Sequence, residues 1–308
     1  MKKLFSLSIV FFLTLTLAQA EEEKVIDMHS HFSKFSVDQI ISSMDEYGID
    51  RVVFMAKPKV EDVGSKLEKA NLNAAAQYPD RIIAFYGGDV INRLIYEKDP
   101  NSVTKKNKKS FRKKIKKVLD NNNYQGLGEL APLHYSLEEG QPYIEFRVDH
   151  PYMLELADLA AKYNIPMDIH MEATTDTLSQ FKILLAHNKK AKIIWDHAGW
   201  SNTGLATPKK IKSLMSKYHN LYSSIKLRKS DSDIQEVNAL KSNGKLKNSW
   251  KNLFKKYPNR FIIGTDMKFG HGTEDYKIVD SIKSLLSCLS SAKYDKIVNQ
   301  NASRILNL

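Results

Sequence analysis

Eight short apolar runs rich in β-branched and aromatic residues alternate with eight longer amphipathic segments along this chain, and that alternation constrains the fold more than any other feature. The strand-like runs are residues 24–28, 51–55, 81–86, 126–130, 166–171, 192–197, 221–227 and 261–266. The helical patterns cover 37–47, 60–78, 105–119, 151–163, 177–187, 208–218, 247–257 and 276–286, with a final helix or two reaching Leu308. Pro151 and Pro208 suit the first turn of their helices, where the missing N–H costs nothing. Repeated βα units imply a parallel sheet, and eight of them imply an α/β fold of the (β/α)8 TIM-barrel type, built as a single domain. An open doubly wound sheet is the competing arrangement. The stretch 130–150 shows no element of its own and is expected to be a long loop at the active-site end.

Residues 1–20, MKKLFSLSIVFFLTLTLAQA, place Lys2 and Lys3 before an apolar run and finish in Ala18-Gln19-Ala20, the pattern of a secretory signal peptide. The run is shorter than the roughly 20 residues a membrane span needs, so no stable membrane insertion is expected after cleavage. The expectation is an exported protein, periplasmic or secreted, whose barrel occupies residues 21–308. The lone Cys288 rules out an intramolecular disulfide, which leaves stability to a large core. The formal charge of +12 is concentrated in KKNKKSFRKKIKK, residues 105–117, where Phe111, Ile115, Val118 and Leu119 mark one apolar helix face. A solvated outer helix explains that run, and weak attraction to polyanions is the alternative. No nucleic-acid motif accompanies it, so no nucleic-acid partner is expected.

Six residues of metal-ligand type stand near the C-terminal ends of these runs: His29 and His31, Glu129, His170, His197 and Asp266. In Asp27-Met28-His29-Ser30-His31 the two imidazoles are two residues apart on a strand and share a side. A single H-x-H is equally well two polar residues in a turn, and a single strand-end His is more often a hydrogen-bonded core residue. His170 and His197 on successive strands change that balance, and Asp266 ends an otherwise buried run, where its charge needs a cation or strong donors. A barrel gathers all six at one mouth.

With D-x-H-x-H at 27–31, strand-end histidines at His170 and His197, G-T-D ending at Asp266 and a closing N-A-S-R-I-L at 301–306, the chain resembles the amidohydrolase superfamily, in pattern its amidohydrolase-2 group of barrel hydrolases and decarboxylases. The resemblance runs from Asp27 to the end. It implies that His29, His31, His170 and Asp266 bind a divalent metal, with His197 completing a second site or binding water or substrate. Zn2+ is the default, with Mn2+, Co2+, Ni2+ or Fe2+ compatible with the same imidazole and carboxylate donors. Many members of the family carry a carboxylated Lys on strand four, whereas this chain has Gly126-Leu127-Gly128-Glu129 there. That run resembles strand four of TatD-type nucleases, in which the Glu joins the metal site. Glu129 is therefore a ligand, an outer contact or a structural residue, and the site holds one or two ions.

The mechanism implied has the metal supplying hydroxide at neutral pH and polarising a carbonyl, Asp266 as proton acceptor and donor, and His197 stabilising the oxyanion. For substrate binding, Lys226 and Arg228 alternate with Ser224 after strand seven and could grip a carboxylate. Trp200, Lys268 and His271, with His134 and Tyr135, fall on loops at the same mouth, while His150, His187 and His219 sit at helix ends and read as structural. The leading expectation is an enzyme, a metal-dependent hydrolase of an ester, lactone or amide of a small molecule. The alternatives are a decarboxylase of an unsaturated or aromatic acid, a TatD-like phosphodiesterase, and an exported binding protein without chemistry.

Overall fold

The computed structural model describes residues 24–32, 35–60, 65–121, 123–135, 144–201, 204–227, 237–269 and 274–308. The proposed signal peptide lies outside the described residues. Eight parallel strands close into a barrel: β1 (Val25–His31), β2 (Ile49–Phe54), β3 (Ile82–Gly87), β4 (Gly126–His134), β5 (Pro166–Met171), β6 (Lys192–Ala198), β7 (Leu221–Ile225) and β8 (Phe261–Ile263). Sequential strands pair around the ring, and closure is made by β1 against β8 at Asp27 and Ile263. The expected (β/α)8 barrel is the fold observed.

The helical patterns also form where the sequence places them, save that the second begins at Lys66 rather than at residue 60. Val37–Tyr47 begins with a capping box on Ser36 and Gln39 and ends at Gly48 in the left-handed region, φ 65°. Pro151–Tyr163 and Pro208–Lys217 carry their prolines in the first turn. The basic helix Lys105–Asn121 buries Phe111, Ile115 and Leu119, and Phe111 stacks on Tyr152 of the next helix at 4.1 Å. Its lysines remain on the outside.

Three elements depart from the sequence reading. β4 runs on to His134 and pairs antiparallel with a two-residue strand, Ile144–Glu145, so the expected loop is in part a hairpin at the barrel mouth. A short helix, Val90–Tyr96, follows β3 without having been expected, since its seven residues are too few to show a helical period. The last strand stops at Ile263 and the chain pairs with β1 again at Met267–Lys268, having left the sheet across Gly264, Thr265 and Asp266.

Two apolar layers hold the barrel. The larger lies between strands and helices, while a second, comprising Ile26, Met28, Val53, Met55, Ile83, Phe85, Ile194 and Ile262, fills the barrel interior with Ala302, Ile305 and Leu306. The helix Asn301–Leu306 plugs the N-terminal end of the barrel. Asn301 Nδ2 donates to the carbonyls of Pro258 and Phe261 at the start of β8, and Lys192 Nζ to that of Ile305. The interior is thus closed below and open at the strands' C-terminal ends.

Candidate metal centre

Strand alternation alone would not aim the mouth residues inward. On β1, Ile26 and Met28 belong to the interior layer, yet His29, the next residue, also faces the barrel mouth, because the pairing with β2 shifts register between Asp27 and Ser30. The same device recurs. Register shifts occur on β4 between Leu127 and Leu130 and on β6 between Trp195 and Ala198, the positions of Glu129 and His197. His197 and Asp266 also adopt left-handed backbone, φ 64° and 55°, which costs a non-glycine residue about 1–3 kcal/mol and is tolerated where surrounding bonds over-determine it. The His197 N–H donates to Ser224 Oγ at 3.1 Å and the Asp266 N–H to the His29 carbonyl at 2.8 Å.

Space for these side chains comes from two glycines. A Cβ on Gly128 would lie 2.8 Å from the Asp168 Cβ, and one on Gly264 2.6 Å from the Ser224 Cβ and 3.1 Å from the His29 Cβ. Either position is closed to a larger residue. Asp27 ties the two edges of the barrel seam together, accepting from Ser30 Oγ at 2.6 Å, Thr265 Oγ1 at 2.5 Å and the Thr265 N–H at 3.0 Å.

The structure brings all six sequence-identified residues together. His29 Nε2 stands 3.6 Å from Glu129 Oε2 and 3.9 Å from Asp266 Oδ1, and His31 Nε2 stands 3.4 Å and 3.1 Å from the same two oxygens. On the other side, His170 Nδ1 is 3.0 Å from Glu129 Oε1 and 3.0 Å from His197 Nε2. One oxygen of the Glu129 carboxylate thus faces the H-x-H pair and the other His170, while His197 stands beside both His29 and His170, ring centroids 5.1 Å and 4.8 Å apart. His170 lies on the far side of Glu129 from the H-x-H, so it does not join that pair directly.

The tautomers follow from the partners. His31 Nδ1 faces the Met55 carbonyl at 3.0 Å, and His29 Nδ1 faces Asp168 Oδ1 at 3.2 Å and Asp196 Oδ2 at 3.3 Å. Each Nδ1 is held as a donor, so Nε2 is the atom that each ring turns toward Glu129 and Asp266. His29 Nε2, Glu129 Oε2 and His197 Nδ1 are buried and have no hydrogen-bond partner. Orphaned nitrogen and carboxylate atoms are costly in a dry interior, and a cation shared between them satisfies both. Ligand atoms of His29, His31 and Asp266, and of His29, Glu129 and His197, each lie within 4.8 Å of one another, so the residues fit a divalent metal.

Burial and neighbouring charges compete in the titration of these groups. Burial opposes ionisation of Glu129, but His29 and His170 outweigh it and hold the carboxyl well below the usual range. Asp266 is likewise held low against burial by the Lys226 amine, with the hydrogen bond to His31 adding to it. His170 rises to about 9 because Glu129 and Glu172 overcome its burial. His197 falls, from burial first and then from Lys226 and His170, and so stays neutral. Of the buried pair behind His29, Asp168 is pushed up by burial and the neighbouring Asp196, whereas Asp196 is held low against burial by His29.

The residues expected around the mouth divide. Lys226 reaches the site but is committed: its amine is bonded to Asp266 Oδ2 and lies 4.1 Å from the Trp200 ring centroid, and the residue is 3% exposed. Trp200 stands beside His197, rings 6.1 Å apart, and the His134 ring is 4.4 Å from that of His170. Lys268 is aligned with His31 across the β1 pairing. Ser224, read as part of a substrate-facing row, instead donates to Asp196 Oδ1 at 2.7 Å. Arg228 and His271 lie outside the described residues. His150 caps the helix Pro151–Tyr163, as its position at a helix start implied.

Sequence reasoning gave no role to Asp168, Asp196 or Lys57. The first two had a signal: each precedes a strand-end histidine, in Asp168-Ile169-His170 and Asp196-His197. Their partner, however, is His29, across the barrel, which no local pattern encodes.

The fold and the cluster define a (β/α)8 barrel with a buried histidine and carboxylate centre at its C-terminal mouth. Neither a protein-family model nor a curated protein sequence matches the chain. Solved structures do match. A probable 2-pyrone-4,6-dicarboxylic acid hydrolase from Acinetobacter baumannii, with citric acid bound, is 18% identical at a TM-score of 0.55, over 92% of this chain and 99% of that one. A 4-oxalomesaconate hydratase from Rhodopseudomonas palustris is 12% identical at 0.57, over 92% and 95%. An amidohydrolase 2 from Bifidobacterium longum subsp. infantis is 13% identical at 0.52, over 92% and 99%. These structural neighbours are amidohydrolase-superfamily members, and what the chain shares with them is the fold.

Proposed function

We propose that this chain is a metal-dependent hydrolase of the amidohydrolase superfamily that cleaves an ester, lactone or amide bond in a small carboxylic acid. The observation that carries the reading is the set of buried, unpartnered donor atoms on His29, Glu129 and His197, converging with His31 and Asp266. The neighbours support the substrate class, since their names are those of a dicarboxylate hydrolase and an oxalomesaconate hydratase, and one holds citric acid.

His29, His31 and Asp266, and His29, Glu129 and His197, are the two sets that would hold a divalent ion. Zn2+ is the first choice. A divalent ion supplies there an acidified water and Lewis-acid polarisation of a carbonyl. The protein's own groups do the rest. Asp266, kept ionised by Lys226, accepts the proton of the attacking water and passes it to the leaving group. His197 is kept neutral by burial, Lys226 and His170, which leaves its unpartnered Nδ1 able to ligate the ion. Asp196 and Asp168 hold the Nδ1 proton of His29 and so keep its Nε2 free.

The signal-peptide pattern of residues 1–20 supports export to the periplasm or beyond the cell, which N-terminal sequencing of the exported protein tests. Elemental analysis with a screen of lactones, esters and amides, before and after chelation, tests the activity. Turnover that disappears with chelator and returns with Zn2+ or Mn2+ is expected. A protein without bound transition metal and without metal-dependent turnover would overturn the reading, and CO2 release without water incorporation would redirect it to a decarboxylase.

A further inference from the structure

Lys57 and Lys268 stand on opposite flanks of His31. β1 lies between β2 and the Met267–Lys268 strand: Ser30 pairs with Phe54 on one side and with Met267 on the other, and His31 is aligned with Lys268. Lys57 follows the end of β2, two residues after Met55, whose carbonyl faces His31 Nδ1. Both lysines are half-buried at the open end of the barrel, and among the described residues neither makes an ion pair. Lys226, also at the mouth, differs in that its charge is already taken by Asp266.

The two free amines are close enough to act on one another. Burial pushes the Lys57 amine down, and Lys268 pushes it further, while Asp266 and Glu129 pull it up, so Lys57 lies within electrostatic reach of both Lys268 and the ligand cluster. Two half-desolvated cations beside a site repel each other until an anion comes between them, and an ammonium group serves such an anion as a mobile point charge with three donors. Across the mouth, among the described residues, stand His134 and Trp200, with Lys226 against Trp200 and already bonded to Asp266. The two unpaired lysines thus lie on the β2, β1 and β8 side.

We infer that Lys57 and Lys268 form a carboxylate-binding subsite beside His31, so that the substrate carries a free carboxylate in addition to the bond that reacts. This placement beside a reacting bond rests on the hydrolase reading above, whereas binding of the carboxylate itself does not require turnover. Lys57 and Lys268 are specificity residues, and the reacting end of the substrate lies toward Glu129 and Asp266.

The experiment is calorimetric titration of the purified protein with succinate, glutarate and adipate, each against its uncharged diamide, with metal content measured on the same samples. The wild-type protein should bind at least one dicarboxylate and none of the diamides. Lys57→Gln and Lys268→Gln should each weaken binding by about ten- to a hundred-fold, as expected for loss of a charge-assisted hydrogen bond, with metal content unchanged. Lys57→Arg and Lys268→Arg should retain most of the affinity. Equal binding of acids and diamides, binding of none of the three acids, or wild-type affinity in both Gln variants would overturn the subsite. Absence of metal with lysine-dependent acid binding intact would instead overturn the hydrolase reading and leave the subsite standing.

Discussion

The two halves of the barrel interior are built on opposite rules. Toward the N-terminal end, Ile26, Met28, Val53, Phe85 and Ile262 pack with the plug helix residues Ala302, Ile305 and Leu306. Toward the C-terminal end, β1, β4, β5 and β6 carry buried His29, Glu129, Asp168, His170, Asp196 and His197, with orphaned atoms at the cluster and left-handed backbone at His197 and Asp266. Burial is nearly equal in the two halves, so burial alone does not separate stability from chemistry. Unmet bonding capacity does: the lower half needs nothing further, while the upper half is completed only by a ligand.

Substitutions can break that contrast. The largest effect is expected from Asp266→Asn, which should lower kcat/KM by about 10²- to 10⁴-fold, read in steady-state kinetics on protein whose metal content is confirmed. Near-normal turnover would remove Asp266 as the proton acceptor. Next, Asp196→Asn should weaken metal affinity or activity about 10- to 100-fold, because the ionised partner of His29 is lost. Asp168→Asn imitates the protonated acid that burial already favours and should be much milder, a difference that competitive chelator titration can resolve.

In the lower half, Phe85→Ala should cost about 3–5 kcal/mol in denaturant unfolding, since the ring is fully buried, yet leave metal content unchanged. Loss of metal in that variant would show the two halves to be coupled. The smallest effect is expected from Thr207→Ala, which removes the side-chain cap on Lys210 N and should cost about 1 kcal/mol with no change in metal content or activity.

The barrel was legible because its signal is periodic: each strand and each barrel helix carries its own apolar pattern, so position in the sequence suffices. The six ligand-type residues were legible for a related reason, as polar residues that end apolar runs. What escaped depends on register. His29 follows an inward-facing Met28 and still faces inward, and this comes from the shift between Asp27 and Ser30, which alternation cannot forecast. Asp168, Asp196 and Lys226 acquire their meaning from partners 139, 167 and 40 residues away in the chain, at His29, His29 and Asp266. The Lys226 charge looked free in the sequence for the same reason. Short elements such as Ile144–Glu145 form from a partner strand rather than from a pattern of their own.

The central claim is that the cluster at the barrel mouth holds a divalent metal with Glu129 among its ligands. Anomalous-difference crystallography on protein loaded with Zn2+ or Mn2+ tests it most directly. At least one peak per chain is expected among His29, His31, Asp266, Glu129 and His197, in contact with Glu129. No peak at the barrel mouth, or peaks that leave Glu129 without contact, would contradict it.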